Sequence, residues 1–294
     1  MKYATPLAFK AALKAHLQKL ADGDAALFAR RQKLIVFDRF LARVVDVLGD
    51  TVILKGGLVL ELRLERARVT KDIDLRLIGP PDRVLERLQE AGRLDLNDWM
   101  EFEVSPAKHP DIANPGMKYQ GHRFQVVCKI AAKPYANFGV DVAFADPLVG
   151  QPDTIVAPNS LGFAGVAPPT LRIYPVVSHV AEKLHAYTLP RDKPNMRVRD
   201  LPDIALLSTV GDIAAVTLRD ALRRTFEFRN THELPVALPE PPRFWDELYA
   251  KLANESDLEW RTLADAYTAA AAFLDPVLRG EDATWSATSR AWSP

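Results

Sequence analysis

The sequence predicts an α/β protein: an α/β domain over residues 1–170, then a mainly helical C-terminal domain over 171–294. Three observations carry this expectation. Between residues 51 and 144, short apolar and alternating runs recur between glycine and proline punctuation, as strands do. Beyond about residue 175 the apolar residues recur at threes and fours instead. The chain has 294 residues, about twice a typical domain of ~150.

Taken in order, Asp24 is a helix N-cap, and Leu27, Phe28, Leu34, Ile35, Phe37, Leu41, Val44, Val45 and Leu48 form one apolar stripe ending at Gly49. Residues 51–54 read as a strand, Gly56-Gly57 as a turn, and Leu58–Leu64 as a helix. After a charged connector, Asp72–Ile78 alternates strictly, a strand signature. The run PDRVLERLQEAG, residues 81–92, predicts a helix with proline in its first turn and glycine at its end. Strands are expected at 102–104, 123–130 and 138–144, and residues 149–175 read as a loop-rich join because prolines and glycines cluster there. Helices are expected at 178–189, 201–210, 217–228, 242–253 and 257–274, with Pro235–Arg243 a rigid connector.

Composition excludes several classes. Lysine plus arginine equals aspartate plus glutamate, 38 each, so no global field draws the chain to nucleic acid or membrane. A basic patch must supply any RNA contact. The single cysteine, Cys128, excludes an internal disulfide framework and a multi-cysteine zinc site. His179 and His185 are six apart and form no ligand motif. No apolar run reaches the ~20 residues of a membrane span, and the start carries no secretory segment, so the expected location is the cytoplasm.

Asp72 and Asp74 are the most informative pair. Side chains two apart on a strand point to one face, so both carboxylates address one volume. Like charges held that close call for a cation, and hard oxygen donors select Mg²⁺ or Mn²⁺. A bare D-x-D on its own reads as a solvated strand face. Gly56-Gly57 lies at a strand-to-helix turn, where backbone N–H groups and the helix dipole favour an anion such as a triphosphate; a plain tight turn has the same sequence. Asp141 lies in the apolar run Gly-Val-Asp-Val-Ala-Phe, where an unpartnered carboxylate is costly. If that strand lies beside the Asp72 strand, ~4.8 Å away, three acids converge on chemistry at phosphorus.

The run LKGGLVLELRLERARVTKDIDLRL, with Lys55-Gly56-Gly57 and Arg68-x-Thr70-x-Asp72-x-Asp74-Leu75, resembles the signature of the AbiEii family of nucleotidyltransferase toxins, which includes the mycobacterial MenT toxins. Val140-Asp141-Val142 resembles the family's third-carboxylate strand, Glu182-Lys183-Leu184-x-Ala186 its lysine helix, and Arg199-Asp200-x-x-Asp203 its R-D-x-x-D segment. These segments occur in family order; Pro202 and Thr70 depart from the usual residues. The resemblance implies a polymerase-β-like nucleotidyltransferase core with a mixed sheet. It further implies transfer of a nucleoside monophosphate from an NTP, pyrimidines favoured, to the 3′ end of tRNA, pyrophosphate release, blocked aminoacylation and a cognate antitoxin. By the same resemblance, Asp72, Asp74 and Asp141 ligate Mg²⁺ or Mn²⁺, and Asp141 helps deprotonate the attacking hydroxyl. Lys55, Gly56, Gly57 and Thr70 hold the nucleotide, Lys183 neutralises phosphate charge, Arg68 contacts phosphate or supports its loop, and Arg199, Asp200 and Asp203 contact the nucleotide or orient Lys183. A lone Lys183 is otherwise an exposed helix lysine, and Asp200 a helix N-cap.

Three basic clusters offer an RNA track: Lys183, Arg191, Lys193, Arg197 and Arg199; Arg223, Arg224 and Arg229; and Lys118, His122, Arg123, Lys129 and Lys133. Solvated faces look the same. Competing readings are a nucleotidyltransferase with a protein acceptor, a glycosyltransferase using D-x-D, and a non-catalytic nucleotide-binding regulator.

Overall fold

The computed structural model describes residues 1–64, 70–79, 82–112, 121–144 and 147–294. Helix α1 (Pro6–Ala21) starts where the Thr5 hydroxyl accepts the Ala8 N–H at 3.2 Å. Helix α2 (Ala25–Leu48) is capped by Asp24, which accepts the N–H groups of Ala26 and Leu27, and ends at Gly49 with φ +54°. Then come β1 (Val52–Lys55), α3 (Gly56–Arg63), β2 (Ile73–Leu77), α4 (Val84–Arg93), β3 (Met100–Ile112), β4 (Gly121–Ile130) and β5 (Lys133–Phe144). After them lie β6 (Asp153–Val156), β7 (Thr170–Ile173), α5 (Val176–Thr188), α6 (Asp200–Leu207), β8 (Ile213–Ala214) and α7 (Ala215–Arg229). The chain closes with α8 (Trp245–Glu255), α9 (Leu263–Leu278), β9 (Thr284–Ser286) and β10 (Ala291–Ser293).

The result is a mixed α/β fold. Seven strands form one sheet in the order β3-β4-β5-β2-β1-β7-β6, with β2 parallel to β5 and β1 parallel to β7. The alternation read in Asp72–Ile78 is that of a sheet with one covered face: Ile73, Leu75 and Leu77 are buried, Asp74 and Arg76 only half-buried. The buried face packs with α1, α2 and α4 in one apolar cluster that includes Phe9, Phe37, Phe40, Leu88, Val126 and Val142. A second cluster gathers α5 to α9 around Trp245, Tyr249, Phe273 and Trp285. Helix α3 serves both: Leu58 and Val59 belong to the first, Leu60 to the second.

The sequence expectation did not include α1, the strands β8 to β10 or most of the length of β3, and three further features depart from it. Residues 149–175 contain β6 and β7, which extend the sheet, because strands of four residues beside prolines leave no measurable alternation. The last long helix starts at Leu263, where the Thr262 hydroxyl accepts the Asp265 N–H, rather than at Asp257. The helix expected from Pro81 starts at Val84, with Arg83 as its N-cap; Pro81 itself lies outside the described residues.

A buried ion cluster fastens α2 to the start of β3. Arg43 reaches Asp98 with two bonds, at 2.6 and 2.8 Å, and Arg39 reaches it at 2.7 Å. Arg43 and Asp98 are both fully buried, and Arg43 also donates to the carbonyls of Leu94 and Met100. Burial alone would raise the Asp98 pKa, but hydrogen bonds and charge from Arg43 and Arg39 hold it below the usual carboxylate value. Asp98→Ala strands two buried guanidinium groups, so unfolding measured in urea should show a loss of about 3–5 kcal/mol.

Candidate active site

The sheet's half-covered face carries the acids. In the parallel β2–β5 pair, Asp74 lies in register with Asp141; Asp72 sits two residues before Asp74, just ahead of the strand. Two glycines make room for them. Gly56 has φ +71°, and a Cβ there would overlap the Asp74 carboxylate. A Cβ at Gly139 would lie 2.7 Å from Asp72 Oδ1, which instead accepts the Gly139 N–H at 3.2 Å. The Thr70 hydroxyl donates to the Asp72 carbonyl at 3.2 Å and so braces the approach to β2.

Facing the sheet, α5 and α6 supply the other residues read from the sequence. Lys183 Nζ donates to Asp200 Oδ1 at 3.1 Å and to Asp203 Oδ2 at 2.7 Å. Asp200 is also gripped by Arg197, and both aspartates are buried. Asp200 is the first residue of α6 rather than its N-cap, which is Arg199. Lys55 bridges from the sheet to Glu182, 2.7 Å away, and lies over the Tyr174 ring. Burial alone would raise the Glu182 pKa; Lys55 and Arg229, with hydrogen bonds from Lys55 and the Tyr174 hydroxyl, lower it to about 2.

Apart from Gly139, Tyr174 and Asp203, these residues line one cavity of about 620 Å³, within the range of small-ligand sites. Its described walls carry Lys55, Lys71, Arg123, Lys183, Arg191, Arg197, Arg199 and Arg229 against Asp72, Asp74, Asp141, Glu182 and Asp200. Gly56, Gly57 and Thr70 line it as well. Of the basic clusters, the first contributes all but Lys193 to this wall and the second only Arg229, since Arg223 and Arg224 lie on the exposed side of α7 beside Glu227 and Asp220. From the third, Arg123 alone lines it; Lys118, like Arg68, lies outside the described residues.

Sequence reasoning gave Arg123 only as part of a basic cluster, not as a partner of the acids, and left His179 outside the site. Arg123 Nε and Nη2 donate to the two Asp141 oxygens, both at 2.7 Å, and its guanidinium also feels the charges of Asp72 and Asp74. His179 is fully buried, lines the cavity, and neither ring nitrogen has a hydrogen-bond partner. Burial first, then Lys183, pushes its pKa down to about 3.

The acid set fits a divalent cation. It offers hard oxygen donors on one face, two glycines leave those carboxylates space, and the acids already share a cation in Arg123. Among the described residues no three ligating side chains close into a preformed cage, and Arg123 engages both oxygens of Asp141.

A family model described as nucleotidyl transferase AbiEii toxin, type IV toxin–antitoxin system, matches residues 39–287. The chain belongs to the AbiEii nucleotidyltransferase toxin family. An AbiEii toxin of this kind has an antitoxin as its partner. No curated protein matches it. Among solved structures, MenT4, a nucleotidyltransferase toxin from Mycobacterium tuberculosis H37Rv, is similar with a TM-score of 0.59 and 19% identity, over 92% of this chain and 90% of that one. At that identity the likeness speaks for the fold. JHP933 from Helicobacter pylori is similar at a TM-score of 0.44 and 14% identity, over 84% of this chain and 93% of that one. Among the described residues, no helix of this AbiEii member is long and apolar enough to cross a membrane.

The buried histidines make stability pH-dependent. His185, like His179, is pushed down to about 3, by burial first and then by Arg229. At these two histidines the folded state therefore binds fewer protons than the unfolded chain between pH 3 and 6.5, so the stability they contribute above pH 6.5 is lost as pH falls, opposed in part by Asp38, which burial raises to about 7. Urea unfolding followed from pH 7 to pH 5 should show a falling midpoint, and His179→Gln should flatten the slope by up to about 1.4 kcal/mol per pH unit.

Proposed function

We propose that this chain transfers a nucleoside monophosphate from an NTP to the 3′ end of tRNA, with Mg²⁺ or Mn²⁺, and that a pyrimidine nucleotide is favoured. The observation that carries the reading is the in-register placement of Asp74 and Asp141, with Asp72 alongside, on the floor of a basic cavity. The domain plan, residues 1–170 for the transferase core and 171–294 for the helical part, puts the acids on one side of that cavity and Lys183 on the other. The cytoplasm, where NTPs and tRNA are found, is the proposed location.

In this reading Asp72, Asp74 and Asp141 hold the divalent cation, which when bound stabilises negative charge on the phosphoryl oxygens. The N–H groups of the Gly56-Gly57 turn, at the start of α3, face the triphosphate tail, with Lys55 and Thr70 beside them. Lys183 is held by Asp200 and Asp203 in a fixed place, so its charge meets the phosphates without reorganisation. The acceptor hydroxyl oxygen bonds to the α-phosphorus as the bond to the bridging oxygen breaks, its proton passes to Asp141, and pyrophosphate leaves. Arg191, Arg197 and Arg199 form the rim along which an RNA backbone lies.

Incubation with total tRNA, Mg²⁺ and each α-labelled NTP in turn tests this. Label should appear on tRNA with one or both pyrimidine nucleotides and fall at least about 10³-fold in Asp74→Asn and Asp72→Ala. Label on protein instead would replace the tRNA acceptor. Nucleotide binding without any labelled product would make the chain a regulator.

A further inference from the structure

Arg123, Asp141 and Asp74 stand in one row across three strands. Arg123 pairs in register with Asp141 in the antiparallel β4–β5 ladder, and Asp141 with Asp74 in the parallel β5–β2 ladder, so the three side chains share the cavity face. Both carboxylate oxygens of Asp141 are taken by the Arg123 fork. The Arg123 side chain is nevertheless 49% exposed, so water can take over its N–H groups when the pair opens. A divalent cation between the acids competes for the same two oxygens. Once displaced, a guanidinium anchored on β4 remains at the cavity wall, and its planar fork matches phosphate as well as carboxylate.

We propose that Arg123 is the exchangeable counter-cation of the three-acid site: it holds Asp141 in the free protein, yields it to the divalent cation, and then turns to the phosphate oxygens of the bound nucleotide. This rests on the nucleotidyl-transfer reading and adds a nucleotide-binding residue to it. The exchange gives Arg123 two effects of opposite sign. It opposes the metal alone and favours the nucleotide once the metal is in place, whereas a merely structural role would weaken both together.

The test is calorimetric titration of the full chain, first with Mn²⁺ alone and then with α,β-methylene CTP at saturating Mn²⁺, in wild type, Arg123→Gln and Arg123→Lys. Arg123→Gln should bind Mn²⁺ roughly fivefold more tightly and the nucleotide analogue roughly fivefold or more weakly. Arg123→Lys, which keeps the charge and loses the fork, should move the same way by less, and it carries the test if the glutamine variant does not fold. Unchanged or weaker Mn²⁺ binding in a folded variant overturns the proposal, as does unchanged analogue binding. Absence of Mn²⁺ binding in every protein overturns the metal reading beneath it, a different result from a failure of the exchange.

Discussion

Three carboxylates on one sheet face repel one another, and the surrounding structure is arranged around that repulsion. Asp74 and Asp141 are locked side by side by strand register, with Asp72 just ahead of the strand, so neither of the paired acids can move off without breaking the ladder. The cations answer from two directions. Arg123 comes along the sheet from β4, and Lys55, Lys183 and the arginines of the 191–199 segment come from the sheet's end and across the cavity. A neutral protein thereby gathers basic side chains along one cavity wall, opposite its acids.

The same charges join the two halves of the chain. Lys55, at the end of β1, meets Glu182 on α5, and Lys183, the next residue, is fastened to α6 through Asp200 and Asp203. Adjacent residues on one helix thus face opposite partners, one in the sheet and one among the helices. Helix α3 does the apolar counterpart, with Leu58 and Val59 in one core and Leu60 in the other. Its N-terminal glycines reach the acids, so the Gly56-Gly57 turn and the junction of the two cores are one short element.

Much of this was legible in the sequence because it rests on short-range rules. The Asp24 cap, the Gly49 stop, the Ile73-Leu75-Leu77 alternation and the shared face of Asp72 and Asp74 follow from local chemistry and from periods of 3.6 and 2. What escaped depends on long-range register. Arg123 faces Asp141 only because the β4–β5 ladder shifts by one residue near Cys128 and Lys129; without that irregularity Arg123 would face Val140. The parallel pairing of β2 with β5 bridges more than sixty residues and leaves no trace in spacing, so convergence of Asp141 with the D-x-D pair was conditional on a neighbour relation that the structure supplies. His179 was set aside because it belongs to no ligand motif; its place in the cavity follows from tertiary packing of α5. Residues 153–156 and 170–173 were hidden by their brevity and by surrounding prolines.

The most direct test of the central claim is a crystal structure with Mn²⁺ and α,β-methylene CTP, with the metal located by its anomalous signal. Mn²⁺ should lie between Asp72, Asp74 and Asp141, with the triphosphate against the Gly56-Gly57 turn and Lys183. Metal or nucleotide bound elsewhere, with the three acids unengaged, would contradict it.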